Sequence, residues 1–316
     1  MKALRIVLTQ SKAHYRKEET VDNKMTYPLP PFSTVIGAIH SACNFKEYHP
    51  MDLCIQGTYS SLIKQPYTDY CFLDSVMDDR GILVKMKNSN LLNSGFDRVA
   101  EAKKPSGNSF KKQITIDIFN QDFFDEFLYL KNADKETIKE FSEEEKNIFT
   151  EKLNRYKSLT TSLKYYEVLH DVKLIIHITS KVEGLLEDIQ DNIYNLKALG
   201  RSEDFVNVEE CEIVKLRNIE ENEEINVSIP GYINTDYIKN GDIQLDKTKK
   251  GIPMNGTKYY LGKVYNRDKG FRDFGEKIKT LYTSKYMADE DSENIYVDEI
   301  KKHKSQKIEK FLVQFS

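Results

Sequence analysis

The chain has 316 residues, with 47 Lys and Arg against 50 Asp and Glu and a formal net charge of −3. Hydrophobic residues make up 39% and charged residues 31%, the balance of a folded protein with a polar surface, which excludes a disordered chain. The longest apolar cluster, Leu174-Ile175-Ile176-His177-Ile178, falls well short of the ~18 residues of a membrane span. The start, MKALRIVLTQ, reads as a strand and not as a signal peptide, so membrane and secreted classes are not expected and a cytoplasmic location is.

Residues 3–9 alternate, with Leu4, Ile6 and Leu8 on one face and Arg5, Val7 and Thr9 on the other, which predicts a strand. A polar loop, QSKAHYRKEETVDNK, leads to MTYPLPPFSTVIGAIHSACNF, where Pro28, Pro30 and Pro31 hold the backbone extended. Ser33 is the expected N-cap of a helix whose Val35, Ile36, Ile39, Ala42 and Cys43 share a face. Gly37 inside it costs helix stability, which predicts a close neighbour there.

Two further strands are predicted around LCIQGTYSSL and YTDYCFL. Across 82–119, ILVKMK and QITIDIF alternate about a Gly-, Ser- and Lys-rich connector, which fits a long hairpin or a mobile loop. From 121 to 158 the pattern is helical and acidic, with two helices expected, the second capped by Ser142. Residues 165–179 read as a buried strand, 183–200 as an amphipathic helix ending at Gly200, and 207–216 as another strand. Without the excursion, the order is βαββαβ. That predicts an α+β, ferredoxin-like or RRM-like body, whose sheets commonly hold single-stranded RNA on one face.

The remainder, 218–316, is expected to be a basic, β-rich C-terminal part, with a charged tail from 287 and an amphipathic end at IEKFLVQF. Lys247–Lys279 holds ten basic residues against three acidic ones, whereas Glu203–Glu224 holds nine acidic against two basic. A near-neutral protein thus carries one region suited to an anionic partner. The domain division expected is 1–81 for the first half of the body, 82–119 for the excursion, 120–158 for the helical insertion, 159–217 for the second half and 218–316 for the C-terminal part.

Three segments in register resemble one family. They are MKALRIVLTQSKAHYRK with TYPLPPFSTVIGAIHSAC, LKYYEVLHDVKLIIHI leading to LGRSEDFVNVEE, and NGTKYYLGKVY followed by GFR-x-F. Together they resemble CRISPR-associated (Cas) protein family five, the subunit that caps the 5′ handle of the guide RNA (crRNA) in type I interference (Cascade) complexes. TYPLPP and YYEVLHD look most like the type I-B branch. The resemblance implies a repeat-associated RNA-binding (RAMP) fold whose thumb-like hairpin maps onto 82–119. Its Gly-Arg-x-Glu-Asp motif maps onto Gly200, Arg201, Glu203 and Asp204. The family's glycine-rich C-terminal loop is matched only in part, by Gly256 and Gly262. The implied partners are the crRNA 5′ handle and the Cascade backbone and large subunits, with target DNA reached indirectly through the complex.

Capture of RNA needs cations for phosphates and flat rings for unstacked bases. Lys258, Tyr259, Tyr260, Lys263 and Tyr265 form one such run, and Arg16 and Lys17 beside His14 and Tyr15 form a second. Lys103, Lys104, Lys111 and Lys112 on the excursion form a third, and each run has a plain reading as core or solvated surface. Arg201 suits a phosphate, but Glu203 and Asp204 offer it a local ion pair, and the structural role is preferred.

Metal-free RNA cleavage would need a base, an acid and a cation. His14, Tyr15, Lys17 and His40 are the set the sequence offers, although His40 and His177 read better as packed side chains. Cys43, Cys54, Cys71 and Cys211 lack zinc-like spacing and read as small apolar residues. Phosphate-binding glycine motifs are missing from the sequence, and neither cofactor nor metal is expected. The expectation is a non-catalytic subunit that caps the crRNA handle. The alternatives are a repeat-specific endoribonuclease on the same fold and a protein-only assembly scaffold.

Overall fold

The structure is a computed structural model that describes residues 1–20, 23–73, 82–85, 121–133, 135–245, 256–264, 274–301 and 308–316. The chain divides into two compact units, one formed by Met1–Gln65 with Tyr166–Ser316 and the other by Pro66–Tyr165.

In the first unit, β1 (Lys2–Ala13) is followed by α1 (Phe32–Ala42), β2 (Asp52–Thr58) and β3 (Ser61–Leu73), which runs on into the second unit. After the second unit come β5 (Tyr156–Thr179), whose last part lies here, and β6 (Asn207–Lys215). The strands run β2-β5-β1-β6, each antiparallel to its neighbour. Hydrophobic alternation accounts for the register. Ile176 sits between Ile6 and Ile55, and one residue on, His177 sits between Arg5 and Cys54 on the other face. On the isoleucine side, Phe32, Val35, Ile36 and Ile39 of α1 pack with Leu185, Leu186 and Ile189 of the helix at Leu185–Asn192. Each large side chain buried there contributes about 1.5–3 kcal/mol.

The face opposite the helices, of the kind on which such sheets commonly hold RNA, is not open to a ligand. The C-terminal segment covers it. The strands at Tyr296–Lys301 and Ile308–Val313 pair with each other. Phe311 packs on Val7 and Ile175, and Val313 joins Ala3, Cys54 and Leu216. Leu53 and Ser316 exchange main-chain hydrogen bonds of 3.1 Å in both directions. The end of the charged tail is amphipathic as expected, with Phe311, Leu312 and Val313 buried and Ile308 and Lys310 exposed. His177, expected to be core, is fully buried and lies 2.9 Å through Nε2 from Asp298 Oδ2.

Other expectations are also corrected. Pro31 stands at the N-cap of α1 without a side-chain cap, and Ser33 lies inside the helix. A Cβ on Gly37 would meet nothing within 4 Å, so this glycine faces open space and not a tight neighbour. The helix expected over 183–200 stops at Asn192, continues as a single turn through Ile193–Asn195, and then extends. Leu196 and its successors leave the helix because Leu199 N–H donates to the Asp204 carbonyl (3.1 Å) and Ala198 bridges Phe205.

In the second unit, β4 (Ile82–Lys85) pairs with the first residues of β5, from Ile82↔Leu159 to Lys85↔Tyr156. Among the described residues, three helices, not two, lie within the expected helical stretch 121–158: α2 (Gln121–Asn132), α3 (Lys135–Glu140) and α4 (Glu143–Asn154). Ser142 caps α4 as expected, in a reciprocal arrangement with Glu145. Phe127 and Leu130 pack on Tyr156, whose hydroxyl donates to Glu126 (2.7 Å). The hairpin thumb expected over 82–119, with Lys103, Lys104, Lys111 and Lys112, lies outside the described residues beyond Lys85.

The rest of the first unit continues with α5 (Leu185–Asn192), β7 (Ile225–Val227), β8 (Gly231–Asn234), α6 (Thr235–Asn240) and β9 (Gln244–Leu245). It ends with β10 (Thr257–Gly262), β11 (Lys277–Thr283), β12 (Tyr286–Ala288), β13 (Tyr296–Lys301) and β14 (Ile308–Val313). Strands β8, β11 and β10 extend the main sheet beyond β2, while β7, β12 and β9 form a small separate sheet. The protein is thus α+β with a mainly antiparallel sheet. Among the described residues, no helix is long and apolar enough to cross a membrane.

Candidate nucleic-acid interface

The end of β1, the start of α1, the Gly200–Arg201 loop and the end of β10 enclose a cleft of ≈ 810 Å³. Backbone pairing sets its first wall. Tyr27 N–H donates to the Tyr15 carbonyl (2.7 Å) and Lys17 N–H to the Met25 carbonyl (2.9 Å), so the loop after β1 folds back on itself as a short ribbon. The ribbon places His14, Arg16, Lys24 and Tyr27 around the cleft. Across from them, Pro31, Ser33, Thr34, Gly37 and Ala38 bring the start of α1, which has no acidic residue in its first turn. The positive end of the helix dipole is therefore not offset by an acidic side chain in its own first turn.

The Gly200–Arg201 wall is organised by Asp204, whose side chain is fully buried. It accepts hydrogen bonds from the main-chain N–H of His14 (2.9 Å) and of Arg201 (2.8 Å), and from the Arg201 guanidinium (2.7 Å). Gly200 has φ +110, in the region that favours glycine, and a Cβ there would lie 2.8 Å from Asp204 Oδ2. Arg201 also pairs with Glu203 (3.2 Å) and lies 4.9 Å from the Tyr166 ring centroid. Burial works against its charge, and the hydrogen bonds to Asp204 outweigh it, so its pKa is raised. The structural role read from the sequence is what the geometry shows, with Arg201 also lining the cleft.

His14 is 4% exposed. Its Nδ1 lies 2.6 Å from the Glu167 carbonyl, which can only accept, so Nδ1 carries the proton. Burial, helped by the charge of Arg201, lowers its pKa. The neutral ring then has an acceptor lone pair on Nε2, which is buried without a hydrogen-bond partner among the described residues.

A second cleft of ≈ 510 Å³ shares Glu18 and Tyr27 with the first and is completed by Glu19, Lys258, Tyr259, Tyr260 and Lys277. Alternation along β10 separates its two tyrosines. Tyr259 packs inward against the Tyr27 ring (5.4 Å between centroids), while Tyr260 is 58% exposed. The Lys17 ammonium lies 5.8 Å from the Tyr27 ring centroid and 5.3 Å from that of Tyr259, a cation–π arrangement. Lys277 is paired with Glu18.

Of the RNA-binding residues expected from sequence, Arg16 and Arg201 line the first cleft and Lys258, Tyr259 and Tyr260 the second, with Lys17 between the two tyrosine rings. Lys263 pairs with Asp52 instead, and Tyr265 lies outside the described residues. The four residues of a nuclease set are not assembled. Tyr15 is buried with its hydroxyl donating to Gln10, and His40 packs among Phe45, Tyr48 and His49 at the far end of α1. Sequence reasoning missed Lys24, Tyr27 and Glu19, and the open space at Gly37. The proline run and the helix glycine were the available signals.

No family model matches the chain, and no curated protein matches it. Among solved structures, the chain is similar to a chain of a CRISPR RNA-guided surveillance complex, with 11% identity over 88% of both chains and a TM-score of 0.40. It is also similar to a CRISPR protein from Archaeoglobus fulgidus, with 9% identity, 98% and 99% coverage and a TM-score of 0.38. A chain of the type III-B Cmr-beta complex bound to cognate target RNA and AMPPnP gives 12% identity, 91% and 86% coverage and a TM-score of 0.30. These are distant likenesses.

Proposed function

We propose that this chain is a non-catalytic RNA-binding subunit of a type I CRISPR interference complex, which caps the crRNA 5′ handle and links the backbone and large subunits in antiviral defence. The observation that carries the reading is the convergence, at one end of β1, of two adjoining clefts with the groups single-stranded RNA requires. Arg16, Lys24 and the start of α1 line the first cleft as the kinds of group that meet phosphates, and the exposed Tyr260 ring lines the second as the kind that meets a base. The strand order β2-β5-β1-β6, with a helix between β1 and β2 and another between β5 and β6, supports the ferredoxin-like RAMP body that the sequence resemblance implies. A binding role without chemistry is supported by the burial of Tyr15, whose hydroxyl donates to Gln10, and by the packing of His40 among Phe45, Tyr48 and His49.

The test is incubation of the purified chain with labelled repeat RNA in EDTA, followed for cleavage on a gel and for retention on a filter. The reading expects uncut RNA held with preference for the handle. Specific cleavage without metal would promote the endoribonuclease, and RNA-independent binding of partner subunits without any RNA affinity would promote the scaffold.

A further inference from the structure

The second cleft also contains groups that select a base, an inference that rests on the RNA reading above and adds to it. Of the side chains around this cleft, Glu18 and Lys277 pair with each other, and Tyr27 and Tyr259 already face Lys17. The other three, Glu19, Lys258 and Tyr260, have no hydrogen bond or ion pair among the described residues. They are a carboxylate, an ammonium and a largely exposed ring, the three kinds of group that hold a nucleotide by its base edge, its phosphate and its base face. Lys258 and Tyr260 lie two residues apart on β10 and so on one face, and Glu19 enters the same cleft from the loop after β1.

A carboxylate accepts hydrogen bonds and donates none. The unpaired bases differ in what they offer it. Guanine presents N1–H and N2–H₂ side by side, adenine and cytosine set one amine beside a ring lone pair, and uracil has one N–H between two carbonyls. Two carboxylate oxygens match two adjacent donors and are repelled by a neighbouring lone pair, so this chemistry favours guanine. Glu18 is compensated by Lys277, so Glu19 and Lys258 are the two charges of the cleft left to meet a base edge and a phosphate.

We propose that the second cleft binds an unpaired guanine nucleotide of the RNA, with Glu19 accepting from N1–H and N2–H₂, Tyr260 stacking on the base and Lys258 meeting the adjoining phosphate. The test uses the full chain and fluorescent ten-nucleotide uridine RNAs carrying one central guanine, inosine or adenine, with affinity read by anisotropy at fixed salt. Guanine is expected to bind about tenfold tighter than adenine, in line with a bidentate contact. Inosine, which keeps N1–H and lacks the amine, falls between them, and Glu19→Gln removes the ranking. Equal affinity for the guanine and adenine RNAs, with RNA clearly bound, would overturn this inference and leave the RNA reading standing. A guanine preference that survives Glu19→Gln, or a variant that binds none of the three, would overturn the role of Glu19. Failure of the unaltered chain to bind any of them would overturn the RNA reading itself, and this inference with it.

Discussion

Arg5 and Asp298, 293 residues apart in the chain, are joined by two hydrogen bonds from Nη1, 3.1 Å to Oδ1 and 2.9 Å to Oδ2. Both residues are buried, and the same carboxylate lies 2.9 Å from His177 Nε2. The first strand of the sheet is thereby tied to the hairpin that covers its outer face. A charge pair of this kind contributes mainly through what is left behind when one partner is removed.

Asp298→Asn is therefore expected to destabilise the chain by roughly 3 kcal/mol, since Arg5 keeps Glu210 and Glu212 but loses its most buried partner. Urea unfolding measures this, and a loss below half a unit would remove the pair from the account. Burial pushes the Asp298 carboxyl up, but hydrogen bonds from His177 and Arg5 outweigh it and hold it below the ordinary 3.8. The unfolded state then binds the proton first on acidification. The contribution is complete above pH 3.8 and is lost as pH falls through the depressed value.

His14 gives a second pH dependence in a higher window. Its folded pKa is lowered from 6.5, by burial first, so protonation favours the unfolded state. Stability is expected to hold above pH 6.5 and to decline as pH falls from there toward the lowered value. His14→Gln, which can still donate to the Glu167 carbonyl, should flatten this part of the stability-against-pH curve. An unchanged slope would show that the ring is not the group responsible.

Gly37 separates binding from folding. Since a Cβ there meets nothing within 4 Å, Gly37→Ala should raise stability by about 0.5–1 kcal/mol through helix propensity. Gly37→Phe puts a ring into the first cleft and should weaken RNA binding about tenfold or more while the melting temperature stays near that of the parent. Full RNA affinity in the Phe variant would place RNA elsewhere.

Lys258 and Arg201 should fail in different ways. Lys258 is exposed and unpaired among the described residues, so Lys258→Ala should lower the slope of log affinity on log salt by about 0.7 without changing stability. Arg201→Ala leaves the buried Asp204 without its guanidinium and should cost roughly 3 kcal/mol in unfolding measurements. A pure affinity loss for Arg201→Ala would mean that its phosphate role outweighs its structural one.

Local pattern accounts for much of what could be read without coordinates. Alternation at Leu4, Ile6 and Leu8 placed β1, and the periodic Val35, Ile36 and Ile39 placed α1, because strands and helices repeat their buried faces over two and 3.6 residues. Ser142 placed the start of α4 through its capping geometry. At the site, the lysines and tyrosines of β10 and the Arg16-Lys17 pair were legible as residue types suited to RNA. Their grouping was not, since His14, Arg16, Glu18, Glu19, Tyr27, Arg201, Lys258, Tyr260 and Lys277 meet only in three dimensions.

The sequence by itself thus determined the strands and helices of the first sheet, the Ser142 cap, the chemical kinds of side chain available and a resemblance to a handle-capping subunit. The tertiary structure decided which face was free. The amphipathic end of the tail found its partner when Phe311 and Val313 packed on the sheet, an amphipathic helix stopped early because Asp204 drew the following loop inward, and the open space moved to the end of β1. The physical reason is range. Periodicity and capping act within a few residues, whereas burial of a sheet face and compensation of a buried charge are settled between segments up to 293 residues apart.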